Sequence, residues 1–178
     1  GSTDGTLRLW ATEVGSGTMI DHGGGLVERG GCLHEMRSHP DAVSCVLVDW
    51  TSQRALSGGN GGSVLLWDLE HGEVLERLRG HAGKVRALSA DWASQRALSA
   101  GFDGTLQVWD LEAGAAARVL RPHGDAMLCV AVDWAAGRAL SGGADATLRL
   151  RELFQQGRRL SKLSGHSDSV LCVAVDWA

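Results

Sequence analysis

GHAGKVRALSADWASQRALSAGFDGTLQVWD, residues Gly80 to Asp110, holds one copy of a pattern that returns along the chain. Its Asp91-Trp92 recurs as Asp49-Trp50, Asp133-Trp134 and Asp176-Trp177, at steps of 42, 42 and 43 residues along the chain. A period of that length is one four-stranded blade of a propeller. Whatever recurs in every copy serves the fold, and whatever differs is where function can hide.

Each copy alternates as strands do. After its His comes Val43-Ser44-Cys45-Val46-Leu47-Val48 in one copy and Met127-Leu128-Cys129-Val130-Ala131-Val132 in another, which predicts a first strand, a. The Asp-Trp corner leads into Arg54-Ala55-Leu56-Ser57, Arg96-Ala97-Leu98-Ser99 or Arg138-Ala139-Leu140-Ser141, a short strand b. A glycine-rich turn follows, Gly58-Gly59-Asn60-Gly61-Gly62 in the first full copy, supplying the positive φ of a tight hairpin. Strand c covers 63–69, 105–111 and 147–153, and a more weakly patterned strand d ends near Leu78, Leu120 and Leu163. The expected fold is all-β, with four antiparallel strands per blade.

These residues resemble the WD40 repeat family: Gly80-His81 opens the copy, Ser99 lies in strand b, Asp103-Gly104 in the turn, and Trp109-Asp110 closes strand c. The resemblance extends over nearly the whole chain. It implies a hydrogen-bonded tetrad of His81, Ser99, Asp103 and Trp109 inside the blade, which is scaffold. Leaving one buried partner of such a network unpaired costs about 1–3 kcal/mol. His39, Ser57 and Trp67 lack the Asp, because Gly61 stands there; His123, Ser141 and Asp145 lack the Trp, because Arg151 stands there. Those two blades are expected to be softer than the middle one. The Asp-Trp after strand a stands where many members have a different turn sequence. Asp49, Asp91 and Asp133 lie five residues before Arg54, Arg96 and Arg138, which predicts an ion pair across each a-b turn.

Gly1 to Trp10 matches the b-c turn and strand c of a blade, and His166 to Trp177 reads as a strand a. The expected division is a partial blade over 1–38, whole blades over 39–80, 81–122 and 123–165, and strand a of a further blade over 166–178. A ring closed from these parts would set an apolar strand beside unpaired backbone, an aggregation liability. An incomplete ring is therefore expected, as a piece of a larger propeller or one completed by self-association. Trp10 and His39 are 29 positions apart, against 14 from Trp67 to His81 and from Trp109 to His123. The excess enlarges the first c-d connection within Ala11 to Cys32, where patches at Gly15 to Gly17 and Gly23 to Gly25 favour a flexible loop.

The chain has 178 residues and a net charge of −4 with His neutral, and no block of Lys and Arg. Nucleic acid is not an expected partner. No apolar run approaches a bilayer span, so no membrane partner is expected, and a soluble intracellular protein is the favoured reading. Of the four cysteines, Cys45, Cys129 and Cys172 each follow an equivalent His by six residues, a repeated small-apolar slot. Cys32 stands outside the pattern. No Cys-x-x-Cys pair occurs, so no metal is expected.

Four His and four Trp at fixed spacing, His39, His81, His123 and His166 with Trp50, Trp92, Trp134 and Trp177, belong to successive blades and read as structure. The tryptophans are expected to pack between blades. There is no Gly-x-Ser-x-Gly elbow, no phosphate-cradling loop and no unique carboxylate pair, so neither catalysis nor a cofactor is expected. What remains is a surface. The d-a loops carry Asp41, Asp125 and Asp168, which as turn formers have an equally good structural reason to be there. Phe102 does not repeat; its equivalents are Asn60, Ala144 and Thr3, and it is expected at the rim beside Lys84, where a lone aromatic can anchor a partner. A minority candidate is a basic patch of Arg149, Arg151, Arg158 and Arg159, joined by Lys162. The resemblance implies a non-catalytic scaffold that binds other proteins or peptides through the b-c/d-a face. The alternatives are a carbohydrate-binding propeller and a fragment of a larger WD40 protein with no independent activity.

Overall fold

Strand c of the second sheet, Ser63-Val64-Leu65-Leu66-Trp67-Asp68, is apolar at four successive positions because each of its faces meets another sheet. Leu65, Trp67 and the following Leu69 pack with Leu7 and Met36 on one side. Val64 and Leu66 pack with Val85, Ala97 and Trp109 on the other. A strand buried on both faces loses the usual alternation and reads as a continuous apolar run. The same arrangement recurs one sheet further on, where Leu98, Leu106 and Val108 meet Met127, Ala139 and Leu153.

A computed structural model of the chain describes residues 1–10, 20–21, 26–27, 31–154 and 157–177. The described strands are β1 (Thr6–Trp10), β2 (Ile20–Asp21), β3 (Leu26–Val27), β4 (Cys32–Arg37), β5 (Val43–Asp49), β6 (Arg54–Gly59), β7 (Ser63–Asp68) and β8 (Glu73–Arg79). They continue as β9 (Val85–Asp91), β10 (Arg96–Gly101), β11 (Leu106–Asp110), β12 (Ala115–Leu120), β13 (Met127–Asp133), β14 (Arg138–Gly143), β15 (Thr147–Glu152) and β16 (Arg159–Ser164). Three antiparallel four-stranded sheets run in chain order, β5-β6-β7-β8, β9-β10-β11-β12 and β13-β14-β15-β16, and β1 pairs with β4. These are all-β blades, numbered here 2, 3 and 4, with the β1-β4 pair as blade 1. β5 lies beside β9 and β9 beside β13, so the first strands of successive blades are neighbours.

Between β1 and β4 the short pair β2-β3 matches Ile20 with Val27 and Asp21 with Leu26. The glycine patches 15–17 and 23–25, and with them the expected flexible loop, lie outside the described residues. Cys32 begins β4 and is exposed. At the other end, residues 166–177 join no strand ladder among the described residues, but Val170 N–H donates to Gly143 O at 3.0 Å. Cys129 Sγ reaches Val170 O at 3.5 Å. Of the repeated cysteines, Cys129 is buried, Cys45 half-buried and Cys172 exposed. No ladder among the described residues closes a ring of sheets.

The a-b turns correct one expectation. Only at Asp133 does the predicted pair form, with Arg138 Nε at 2.9 Å. Asp49 and Asp91 accept instead from the hydroxyls of Ser52 and Ser94, each at 2.6 Å. The third copy has Ala136 in that place, which leaves the Asp133 carboxylate for the guanidinium. A hydroxyl three residues on outcompetes a longer side chain that must be ordered to reach. Arg54 turns to the next blade, where Nη1 donates to Gln95 Oε1 at 2.9 Å and the guanidinium lies 5.8 Å from the Trp92 ring centre.

Candidate functional site

The buried network comes first, because it fixes the turns that form the rim. In blade 3 Trp109 Nε1–H donates to Ser99 Oγ at 2.8 Å, and Ser99 Oγ lies 2.7 Å from His81 Nε2. His81 Nδ1 stands 3.0 Å from Asp103 Oδ1. Asp103 also accepts from the Ala82 N–H at 2.9 Å and the Thr105 hydroxyl at 2.8 Å. Burial pushes the Asp103 carboxyl up, but the hydrogen bonds from Ala82, Thr105 and His81 outweigh it and the pKa is lowered. An ionised carboxylate only accepts, so Nδ1 carries the imidazole proton and Nε2 accepts from Ser99.

Blade 2 reaches the same end without the acid. Trp67 donates to Ser57 Oγ at 2.7 Å and His39 Nε2 lies 2.6 Å from that oxygen. His39 Nδ1 meets Ser63 Oγ at 3.0 Å, where blade 3 has Asp103 and Thr105. The Asp41 carboxylate lies against Gly61, on the side where a Cβ would project. Burial lowers the His39 pKa; Arg77 lowers it further and Asp41 opposes.

Blade 4 keeps His123 Nδ1 at 2.9 Å from Asp145 and Nε2 at 2.9 Å from Ser141 Oγ. Its Trp is Arg151, whose Nε is buried and has no hydrogen-bond partner among the described residues. Ser141 Oγ, with no indole to serve, reaches Arg149 O at 3.3 Å. Arg149 Nη2 pairs with Asp145 at 2.8 Å, and its Nη1 donates to Pro122 O. Burial raises the Asp145 carboxyl, yet Thr147 and His123 together bring it to about 2. His166 is exposed.

The turns held by these networks make a rim. Asn60 N–H donates to Ala42 O, Phe102 N–H to Lys84 O and Ala144 N–H to Ala126 O, each at 2.9 Å, so the b-c turns of blades 2, 3 and 4 are each tied to a d-a loop. Phe102 is 44% exposed. Lys84 Nζ stands 5.8 Å from its ring centre, in cation–π range. Asn60 and Thr3 are exposed and Ala144 is half-buried.

The family profile described as WD domain, G-beta repeat matches residues 30–68 and 72–110. These two segments are WD40 repeats. WD40 repeats are generally protein-interaction scaffolds and are typically non-catalytic. No curated protein matches the chain.

On this rim two of the acids are turn-makers. Asp125 accepts from the Ala126 N–H at 2.7 Å and Asp168 from the Ser169 N–H at 2.6 Å. The four arginines considered as a basic patch do not gather on one surface: Arg149 and Arg151 turn into the blade, while Arg158 and Arg159 are exposed. Both inward residues stand on strand c at every-second positions, the face that Leu65 and Trp67 use in blade 2, so alternation directs them to the preceding blade. The residues that sequence reasoning missed are Thr105, Thr147 and Ser63. Their signal was a hydroxyl two residues after the turn-acid position in each copy. Among the described residues no group of three His, Cys, Asp or Glu side chains could hold a metal ion, and no helix is long and apolar enough to cross a membrane.

Proposed function

We propose that this WD40 chain is a non-catalytic platform that holds a partner protein or peptide on its b-c/d-a rim, with Phe102 as the anchor. Phe102 carries the reading: an exposed aromatic with an ammonium over its face, at a position where the other blades have small or polar residues. Such rings supply contact area at low cost in side-chain entropy. Asn60, Asp41, Asp125 and Asp168 would offer polar groups on the same rim, where turns already tied down, as at Asn60, need little ordering on binding. His81, Ser99, Asp103 and Trp109 act as the scaffold behind it.

A photo-crosslinking side chain placed at position 102, and in a second sample at Ala93 on the a-b side, tests the face. Crosslinks to a discrete partner from 102 and none from 93 are the expected result. Crosslinks from 93 alone would move binding to the opposite side. With a partner in hand, Phe102→Ala should weaken binding by about tenfold or more without altering the melting curve, and unchanged affinity would remove Phe102 as the anchor.

A further inference from the structure

Blade 2 carries a cleft of about 510 Å³ bounded by Ser38, Pro40, Gly61, Ser63, Arg77 and Arg79. Its origin is two substitutions. Where blades 3 and 4 place Asp103 and Asp145, blade 2 has Gly61; where they place the long polar Gln107 and Arg149, it has Leu65. In blade 4 that long side chain pairs with Asp145 and caps Pro122 O, filling the space.

Register sets what borders the opening. β7 pairs with β8 so that Ser63 faces Arg79 and Leu65 faces Arg77. The two arginines therefore stand on one face of β8, about 7 Å apart along the strand. Arg77 Nη1 donates to Ser38 O at 3.2 Å, which holds one guanidinium at the mouth. Arg79 is exposed and makes no ion pair among the described residues. No carboxylate lines the cleft. The Asp41 carboxylate lies beside Gly61, where a Cβ would project, and acts on His39 less strongly than Arg77 does.

We propose that this cleft is an anion subsite that takes the carboxylate or phosphoryl group of a bound peptide's side chain between Arg77 and Arg79. Guanidinium groups present paired N–H donors matched to both kinds of oxyanion. In blade 4 Asp145 already pairs with Arg149; in blade 2 neither Arg77 nor Arg79 makes an ion pair among the described residues, which leaves both guanidiniums for an anion from outside. The source of the anion rests on the platform reading, but the anion chemistry does not need the partner.

The test is an NMR titration of the whole chain, at fixed ionic strength in chloride, with inorganic phosphate, N-acetyl-phosphoserine amide and N-acetyl-glutamate amide. Saturable shifts of the Arg77 and Arg79 Nε–H signals and the Ser63 amide are expected. Arg79→Ala should weaken binding about tenfold. Gly61→Asp should weaken it further, because a second carboxylate beside that of Asp41 adds negative charge at the cleft. Binding of the two phosphorus probes alone selects a phosphorylated side chain, and binding of the glutamate probe as well selects a carboxylate. Shifts that do not saturate, or an affinity unchanged in Arg79→Ala, overturn the proposal. A failed titration with crosslinks at position 102 leaves the platform reading standing, and saturable binding with crosslinks only at position 93 does the reverse.

Discussion

Ser99 takes an indole N–H at 2.8 Å and sits 2.7 Å from an imidazole nitrogen, so one small hydroxyl satisfies two large buried side chains. Ser99→Ala leaves both unpaired and is expected to cost about 2–4 kcal/mol in urea unfolding. Ser141→Ala should cost less, because no indole depends on that oxygen. Arg151→Trp restores the missing donor and removes a partnerless Nε, and should raise stability by about 1–3 kcal/mol, read as a higher melting temperature. Asp145 sets a pH dependence. Its carboxyl is depressed from 3.8 to about 2, so its contribution is full above the unfolded value and is lost as pH falls from about 4 toward 2. The size is on the order of 2 kcal/mol. Asp145→Asn should flatten that part of the stability profile. The His, Ser, Asp and Trp of the tetrad were legible because they repeat; that Ser63 meets His39 and that Arg149 pairs with Asp145 and Pro122 were not, because those contacts depend on what each blade leaves unfilled.

At the scale of the element, the same irregularity recurs in each blade. The c-d ladder slips between Leu9 and Trp10, Leu66 and Trp67, Val108 and Trp109, and Leu150 and Arg151. A bulge there increases the local twist and re-aims the following side chain. Arg151 thus occupies a backbone position shaped for tryptophan, which explains why its guanidinium is carried inward. The b-c turn shows a second irregularity. Gly62 and Gly104 have φ of 86° and 72°, and their counterpart Ala146 has φ of 56°. A side chain in that region is strained, so Ala146→Gly should stabilise the chain by about 1 kcal/mol, measurable as a shift in the denaturation midpoint. Strand identities and turn positions were readable from alternation and glycine. The bulges were not, since a slip of one residue is settled by what both strands pack against.

For the molecule as a whole, burial follows the neighbour. Leu78 and Leu120 are 0% and 8% exposed under the next blade, whereas their counterpart Leu163 is 49% exposed, with Leu171 nearby in sequence at 68%. Trp92 and Trp134 pack against the clusters between blades 2 and 3 and between blades 3 and 4. Trp50, identical in sequence context, is 62% exposed. An apolar blade face of this kind favours association. Sedimentation at rising concentration should show self-association of the chain, and Leu163→Lys should reduce it; a wild-type chain that stays monomeric throughout would remove that expectation.

The repeat in the sequence was sufficient by itself for the blade, its four strands and the tetrad positions, because alternation and turn chemistry act between residues close along the chain. Which tryptophan is covered, which arginine faces inward, that Asp49 and Asp91 take a serine in place of an arginine, and that a cleft opens in blade 2 were decided by the tertiary structure. Each of these depends on groups brought together across strands and blades, or on competition among nearby partners, and such contests are settled by packing space and hydrogen-bond geometry that no single repeat contains.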